Sequence, residues 1–191
     1  RDAHGIEGLD EATLAPHWEA VEKRLHIVEQ PLDQVNANNR VLYDGAGKLG
    51  WSRALIQRNV NNCMNTGYCG MGCPVNAKQS MLITYLPDAL RHGARLYANA
   101  RAVRVEWNGK RATAVHAEVL DPATDKPNGR KIVVKARLIV LAGGAINTPA
   151  LMLRSRLDLD GRVGKRTYLH PVVAAGALFE QRLEGVYGAP Q

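Results

Sequence analysis

Several features that define common classes of protein are scarce or missing in this sequence of 191 residues. Aromatic residues make up only 5%, with a single Phe, so a core must be built mainly from Val, Leu, Ile and Ala. The longest apolar runs, at 138–141 and 172–178, have the length of strands and are too short to cross a membrane. The excess of Lys and Arg over Asp and Glu gives a net charge of +7. Because the basic residues form no cluster along the sequence, nucleic acid is not favoured as a partner.

A glycine pattern typical of dinucleotide-binding loops lacks the residues that such a loop needs. Gly45, Gly47 and Gly50 match the spacing GxGxxG. Only three apolar residues precede the pattern, and no Asp or Glu occurs between Gly45 and Pro87 to bind a ribose. We therefore interpret the pattern as a glycine-rich turn and not as a phosphate-binding loop.

All three cysteines of the chain, Cys63, Cys69 and Cys73, fall within eleven residues. On a glycine-rich loop, three thiols could bind the iron of a small iron–sulfur cluster. A fourth cysteine is missing, which argues against a structural zinc site with four cysteine ligands, although a histidine could complete such a site. The alternatives to a metal site are one disulfide with a free thiol, or three reduced buried thiols.

The six histidines show no arrangement typical of a catalytic centre. None has a second His or an Asn two positions further on, and none belongs to a recognisable Ser or Cys nucleophile arrangement. We therefore expect no catalytic residue within this chain.

Helical signals occur at several places along the chain. Apolar residues at spacings of three and four predict an amphipathic helix over 9–28. We also predict short helices at 51–60 and 87–92, and another that opens at Thr148 with a proline in its first turn. The Gly-, Pro- and Asn-rich segment 61–76 between them is predicted to be a structured loop.

Strand signals dominate the second half of the chain. Alternation over 103–107 and 113–119, separated by Asn-Gly, predicts a hairpin, and a third strand is predicted at 131–134. The continuously apolar 138–141 predicts a strand buried on both faces of a parallel sheet. The apolar segment 171–179 predicts the first strand of another sheet.

Small residues follow the predicted buried strand directly, as Ala142, Gly143 and Gly144. At the carboxyl end of a strand such residues allow a ligand to approach the backbone, and open α/β sheets bind ligands there. An ordinary tight turn between a strand and a helix is the alternative.

Seven segments, in their order and spacing, resemble the glucose–methanol–choline (GMC) family of flavoprotein oxidoreductases. The resemblance extends over most of the chain from about residue 9. The segments are 63–74, 77–80, 85–89, 92–94, the strand at 103, 141–149 and 163–171.

The resemblance implies an α/β fold: a partial FAD/NAD(P)-binding-type domain with a β-meander or hairpin and the start of a second, antiparallel substrate-domain sheet. It implies helical and connecting segments at 1–60, part of the FAD-binding domain at 61–165 and the start of the substrate-binding domain at 166–191. Because the chain also begins without Met, we expect a central segment of a longer enzyme. Its partners would be the N- and C-terminal parts of that same enzyme.

The resemblance also implies a cofactor and its contacts. The cofactor is FAD, Val103 matches a strand position whose backbone faces the adenine, and Ala142, Gly143 and Gly144 match a small turn lying against the cofactor. The activity implied for the longer enzyme is hydride transfer from the CH–OH carbon of a small-molecule alcohol to flavin N5. The catalytic residues are then expected outside this chain.

Two details of the resemblance leave other functions open. The spacing of Cys63, Cys69 and Cys73 is similar to the iron–sulfur loop of bacterial FAD-dependent glucose dehydrogenases, which implies a flavin dehydrogenase passing electrons to a cytochrome or quinone. A non-catalytic binding domain with a flavin fold is a further alternative. The chain departs from the resemblance at one point: the family usually has Ser-Gly at the end of the helix predicted from Thr148, whereas this chain has Ser155 followed by Arg156.

Overall fold

The computed structural model describes residues 5–158 and 160–188. The chain divides into two compact units, Arg1–Ala94 with Gly176–Gln191, and Arg95–Ala175. Among the described residues, no helix is both long and apolar enough to cross a membrane. The domain division at residues 60 and 165 stays a prediction.

The first unit combines helices with a small ribbon. Two short strands pair antiparallel, with Ile27 opposite Asn59. In chain order its elements are α1 (Glu11–Leu25), β1 (Ile27–Glu29), a 3-10 turn (Leu32–Gln34), α2 (Ala37–Lys48), β2 (Gln57–Asn59) and α3 (Tyr85–Arg91).

The structure confirms the predicted first helix, α1, and shows what bounds it. The carboxylate of Asp10 accepts the backbone N–H of Thr13 at 2.9 Å, which satisfies a free donor at the start of the helix. The helix ends at His26, whose φ of 49° is left-handed. The chain can then turn directly into β1.

The helix predicted at 51–60 is wrong, because Gln57–Asn59 forms β2. Pairing with β1 fixes this strand, and such long-range pairing overrides local helical signals. The helix lies earlier, at α2, where the side chain of Asn36 accepts the N–H of Asn39 at 3.0 Å. Gly45 and Gly47 belong to the last turns of α2, so the GxGxxG spacing marks a helix end and no phosphate-binding loop.

The predicted loop at 61–76 is confirmed, since these residues form neither helix nor strand. The segment 185–188 packs against it. Gly67 has a φ of 72°, and a Cβ there would lie 2.0 Å from the carbonyl oxygen of Val186. Gly188 donates its N–H to the carbonyl of Asn65 at 2.9 Å. Glycine is therefore required at position 67 both by conformation and by space.

A part-buried ion pair joins α1 to α3. The Nε of Arg24 donates to the Asp88 carboxylate at 2.6 Å, and its Nη2 donates to the carbonyl of Thr84 at 2.8 Å. Arg91 contacts the same carboxylate. These contacts, with the Arg24 hydrogen bond foremost, lower the pKa of Asp88 below its usual 3.8.

We expect Asp88→Asn to lower thermal stability at neutral pH and to lose this effect in acid. A carboxyl group with a lowered pKa stabilises the folded state above its unfolded pKa, and this contribution disappears as pH falls through the folded pKa. Unfolding midpoints measured from pH 7 to about pH 3 would test this. Glu19→Gln, at an exposed position of α1, controls for the lost charge. A wild-type advantage that is unchanged in acid would contradict the prediction.

The second unit is a three-stranded antiparallel sheet with one helix. The sheet has the order β3 (Ala100–Trp107), β4 (Ala112–Leu120), β5 (Pro127–Lys135), and α4 is Gly144–Arg154. The predicted hairpin and third strand are confirmed. At the hairpin turn, the side chain of Asn108 accepts the N–H of Arg111 at 2.9 Å, and Gly109 has a φ of 88°.

The end of α4 is fastened to β3 through one buried serine. The Oγ of Ser155 accepts the N–H of Val105 at 2.8 Å and donates to the carbonyl of Leu151 at 2.7 Å. The indole of Trp107 donates to the carbonyl of Ser155 at 3.0 Å. Val105 and Ser155 are both buried, so the centre of this unit lies where β3 meets α4.

Two predicted strands do not form in the described residues. At 138–141 the side chains of Leu138 and Val140 are 80% and 76% exposed, and at 171–179 Val173 is 95% exposed. A strand needs a neighbour for its backbone hydrogen bonds, and no described strand lies beside either segment. The fold is thus a mixture of helices and small antiparallel sheets, and neither the parallel strand nor the start of a second sheet is formed in the described residues.

Candidate functional site

An open cleft of about 630 Å³ in the second unit contains most of the predicted cofactor residues. Val103 contributes from β3, while Ala142 and Gly143 contribute from the turn before α4. Gly144 follows as the first residue of α4. Residues distant in the sequence are therefore brought to one site.

Val103 lies at an irregularity of the ladder between β3 and β4. Ala102 pairs with Ala117 and Arg104 pairs with His116, so Val103 has no partner of its own. The extra residue of such a bulge leaves its backbone groups outside the regular ladder. Val103 therefore lies where the regular pairing of β3 with β4 is interrupted, on the wall of the cleft.

The turn before α4 is compact because of its glycines. Gly143 donates its N–H to the Oγ1 of Thr148 at 2.8 Å, and a Cβ on Gly143 would lie 3.3 Å from the Cβ of Asn147. Gly144 has a φ of 80°, which is left-handed, although the space around it is open. Neighbouring atoms restrict the size of a side chain at position 143, whereas the left-handed backbone favours glycine at position 144.

The start of α4 differs from the sequence-based expectation. The helix begins at Gly144, so Pro149 lies inside it and Thr148 is not its N-cap. Within the part of the chain that the structure describes, no side chain caps this end of the helix. The first N–H groups of a helix lie at the positive end of its dipole and favour negatively charged oxygen atoms.

Polar side chains that the sequence analysis missed also line the cleft. Arg101 lies two residues before Val103, so strand alternation could have indicated it. Asn147 and Thr148 were missed because the predicted helix began too late. The additional polar residues are Arg101, Glu118, Asn147, Thr148 and Arg154.

The charges in the cleft favour an anionic ligand. Among the described residues, two arginines and one acidic residue, Glu118, line the cleft. Glu118 lies opposite Arg101 in the register of β4 and β3. The excess of positive charge, the glycine turn and the bulge together fit the adenine and pyrophosphate of a dinucleotide such as FAD.

The three cysteines are not brought together as metal ligands. All are free, half-buried thiols of the first unit. Within the described ranges, no group of three or more His, Cys, Asp or Glu could hold a metal ion. Cys73 lines a cleft of about 600 Å³ that contains neither Cys63 nor Cys69. The iron–sulfur cluster therefore finds no support in this geometry.

Backbone hydrogen bonds give Cys73 a distinct chemistry. The backbone N–H groups of Lys78 and Val75 hydrogen-bond to the sulfur and lower the pKa of the Cys73 thiol, and Lys78 has the larger effect. Cys63 instead has the side-chain oxygen of Asn65 at 3.7 Å from its sulfur. The cysteines thus lie in different local environments and do not form one set of ligands.

Comparison with known proteins shows the family. The family model described as GMC oxidoreductase matches residues 1–172. A GMC-type oxidoreductase of Mycobacterium tuberculosis is 34% identical over 180 residues, which cover 94% of this chain and 28% of the relative. A GMC-type oxidoreductase of Sinorhizobium fredii is 35% identical over 144 residues, which cover 75% of this chain and 28% of that relative.

A third relative has a more specific name. A long-chain-alcohol oxidase of Arabidopsis thaliana is 31% identical over 169 residues, which cover 86% of this chain and 22% of that enzyme. The chain belongs to the GMC oxidoreductase family, whose members bind FAD as flavoproteins. It spans less than a third of the length of these relatives. The resemblance drawn from the sequence is thereby confirmed.

Proposed function

We propose that this chain forms part of the FAD-binding domain of an oxidoreductase that oxidises the CH–OH group of an alcohol. Family membership supports an oxidoreductase with FAD. The relative named as a long-chain-alcohol oxidase supports an alcohol substrate. Because the chain covers under a third of its relatives, the activity is proposed for the longer enzyme.

The observation that carries the proposal is the position of Val103 opposite the glycine turn. The bulge interrupts the regular pairing at Val103, which lines the cleft, and the main-chain groups of Val103 would bond to the adenine edge. Ala142 and Gly143 form the small surface against which the cofactor would lie.

The chain's own residues would bind and orient the cofactor. Arg101 and Arg154 would attract its pyrophosphate, and the free N–H groups at the start of α4 would add to this attraction. FAD, when bound, supplies the flavin N5 that accepts a hydride from the substrate carbon. We place the base that takes the hydroxyl proton outside this chain.

A pair of substitutions at Val103 tests the main-chain contact. Val103→Ala keeps the backbone N–H and should retain FAD, whereas Val103→Pro removes that N–H and should lower FAD affinity by about ten-fold. Proline is tolerated at bulges and on edge strands, and β3 is an edge strand. Flavin absorbance after dialysis of the holoenzyme measures the loss. Equal FAD retention in both variants would contradict the contact.

The alcohol substrate requires a separate measurement on the same holoenzyme. We expect a primary long-chain alcohol, added without oxygen, to bleach the flavin absorbance of the wild type. An enzyme that holds flavin but is bleached by no alcohol would refute the substrate class. An enzyme with neither bound flavin nor bleaching would favour the non-catalytic binding domain.

A further inference from the structure

Three arginine side chains line a second open cleft in the unit Arg95–Ala175. The cleft has a volume of about 570 Å³. Arg104 contributes from β3, Arg154 ends α4, and Arg156 follows two residues later. Only Arg154 also lines the cofactor cleft. The two clefts therefore share one side chain but are otherwise built from different residues.

The positive charge of this cleft is only partly balanced. Among the described residues, Glu106 is the single acidic residue that lines it. That carboxylate lies 2.8 Å from Nε2 of His116 and 4.0 Å from Nη2 of Arg104. In the part of the chain that the structure describes, the side chains of Arg154 and Arg156 form no hydrogen bond or ion pair. The guanidinium group of Arg156 is thus available to a ligand, and that of Arg154 is shared with the cofactor cleft.

Arg156 occupies a backbone conformation that disfavours its side chain. Its φ is 57°, in the left-handed region. In the described ranges, five of the other non-glycine residues with positive φ are Asn or Asp, which tolerate this region, and one is His26. A bulky residue held in this region is a reason to look for a function.

We propose that Arg104, Arg154 and Arg156 bind the phosphate group of a small molecule at this cleft. Guanidinium groups bind phosphate oxygens through paired, charge-assisted hydrogen bonds. A concave space of this volume is in the range of small-molecule sites, which favours a small ligand over the surface of another protein. The site shares Arg154 with the cofactor cleft, so in the FAD-bound enzyme it depends chiefly on Arg104 and Arg156. Its ligand need not be FAD or the alcohol.

Calorimetric titration of the holoenzyme with inorganic phosphate, and separately with pyrophosphate, tests the site. Low ionic strength is required, since salt screens exposed charges. We expect saturable binding in the wild type and about ten-fold weaker binding in Arg156→Gly. The control Arg130→Gln removes an exposed arginine of β5 and should change affinity less than about two-fold.

Arg156→Gly is a suitable variant because it removes the charge without straining the backbone. Glycine adopts a φ of 57° readily, so the thermal unfolding midpoint should be equal or higher. Bound flavin should also be unchanged, since Arg156 does not line the cofactor cleft. An enzyme that binds phosphate but no FAD would refute only the proposed function.

Three results would overturn the site. The first is that neither anion binds at millimolar concentration. The second is an equal loss of affinity in Arg156→Gly and Arg130→Gln, which would mean non-specific attraction to a basic surface. The third is binding of a glutamate-rich peptide without binding of either anion, which would assign the cleft to an acidic protein partner.

Discussion

Gly143→Val is expected to weaken FAD binding by at least about ten-fold. Gly143 lines the cofactor cleft, and even a Cβ there would lie 3.3 Å from the Cβ of Asn147 and 3.4 Å from the Oγ1 of Thr148. The two further methyl groups of valine would add to this crowding and disturb the turn that lines the cleft. The backbone of Gly143 has a φ of −82°, which valine can adopt, so bulk rather than backbone strain causes the loss.

FAD content and dissociation constant, measured by flavin absorbance and fluorescence on the holoenzyme, check this expectation. Gly45→Ala is the matched control, because Gly45 lies inside α2 and a Cβ added there would have no neighbouring atom within 4 Å. It should leave FAD binding unchanged and raise stability by about 0.5–1 kcal/mol. If Gly143→Val binds FAD as tightly as the wild type, the cofactor does not lie against this turn.

Ser155→Ala is expected to lower the free energy of unfolding by about 1–3 kcal/mol. The hydroxyl of Ser155 accepts the N–H of Val105 at 2.8 Å, and Val105 is only 2% exposed. Alanine leaves that donor without an acceptor in a place that water does not reach. The packing of α4 against the edge of β3, which shapes one wall of the cofactor cleft, would weaken with it.

Urea unfolding followed by circular dichroism measures the change. Ser52→Ala, at an exposed position, should stay within about 0.5 kcal/mol of the wild type. A decrease for Ser155→Ala no larger than that of this control would show that the hydrogen bond is replaced by another. The same variants should differ in FAD affinity, since only Ser155 lies next to an element of the cleft.

Local signals accounted for the hairpin and for the cysteine-rich loop. The Asn108–Gly109 turn and the alternation on either side of it depend on neighbouring residues alone. The helix α1 likewise depends on local residues, because its apolar periodicity lies within the helix and its cap, Asp10, directly precedes it. The family, too, was accessible from motif order and spacing.

Features that depend on distant parts of the chain were not predictable in this way. The strand β2 exists because β1 pairs with it, and no local pattern at 57–59 shows this pairing. The apolar segment 138–141 has the composition of a buried strand, but a strand forms only beside a partner. The bulge at Val103 is a property of the register between two strands, which composition does not encode.

The bulge at Val103 has a consequence for genetic surveys of this protein. If the contact with the cofactor is made by the main chain, substitutions of Val103 by residues other than proline would leave the contact intact. Deleting Val103 would instead let Ala102 and Arg104 follow one another in an uninterrupted ladder opposite Ala117 and His116. The strands β3 and β4 could then pair without interruption, while the main-chain contact with the cofactor would be lost. At this position, chain length would matter more than residue identity.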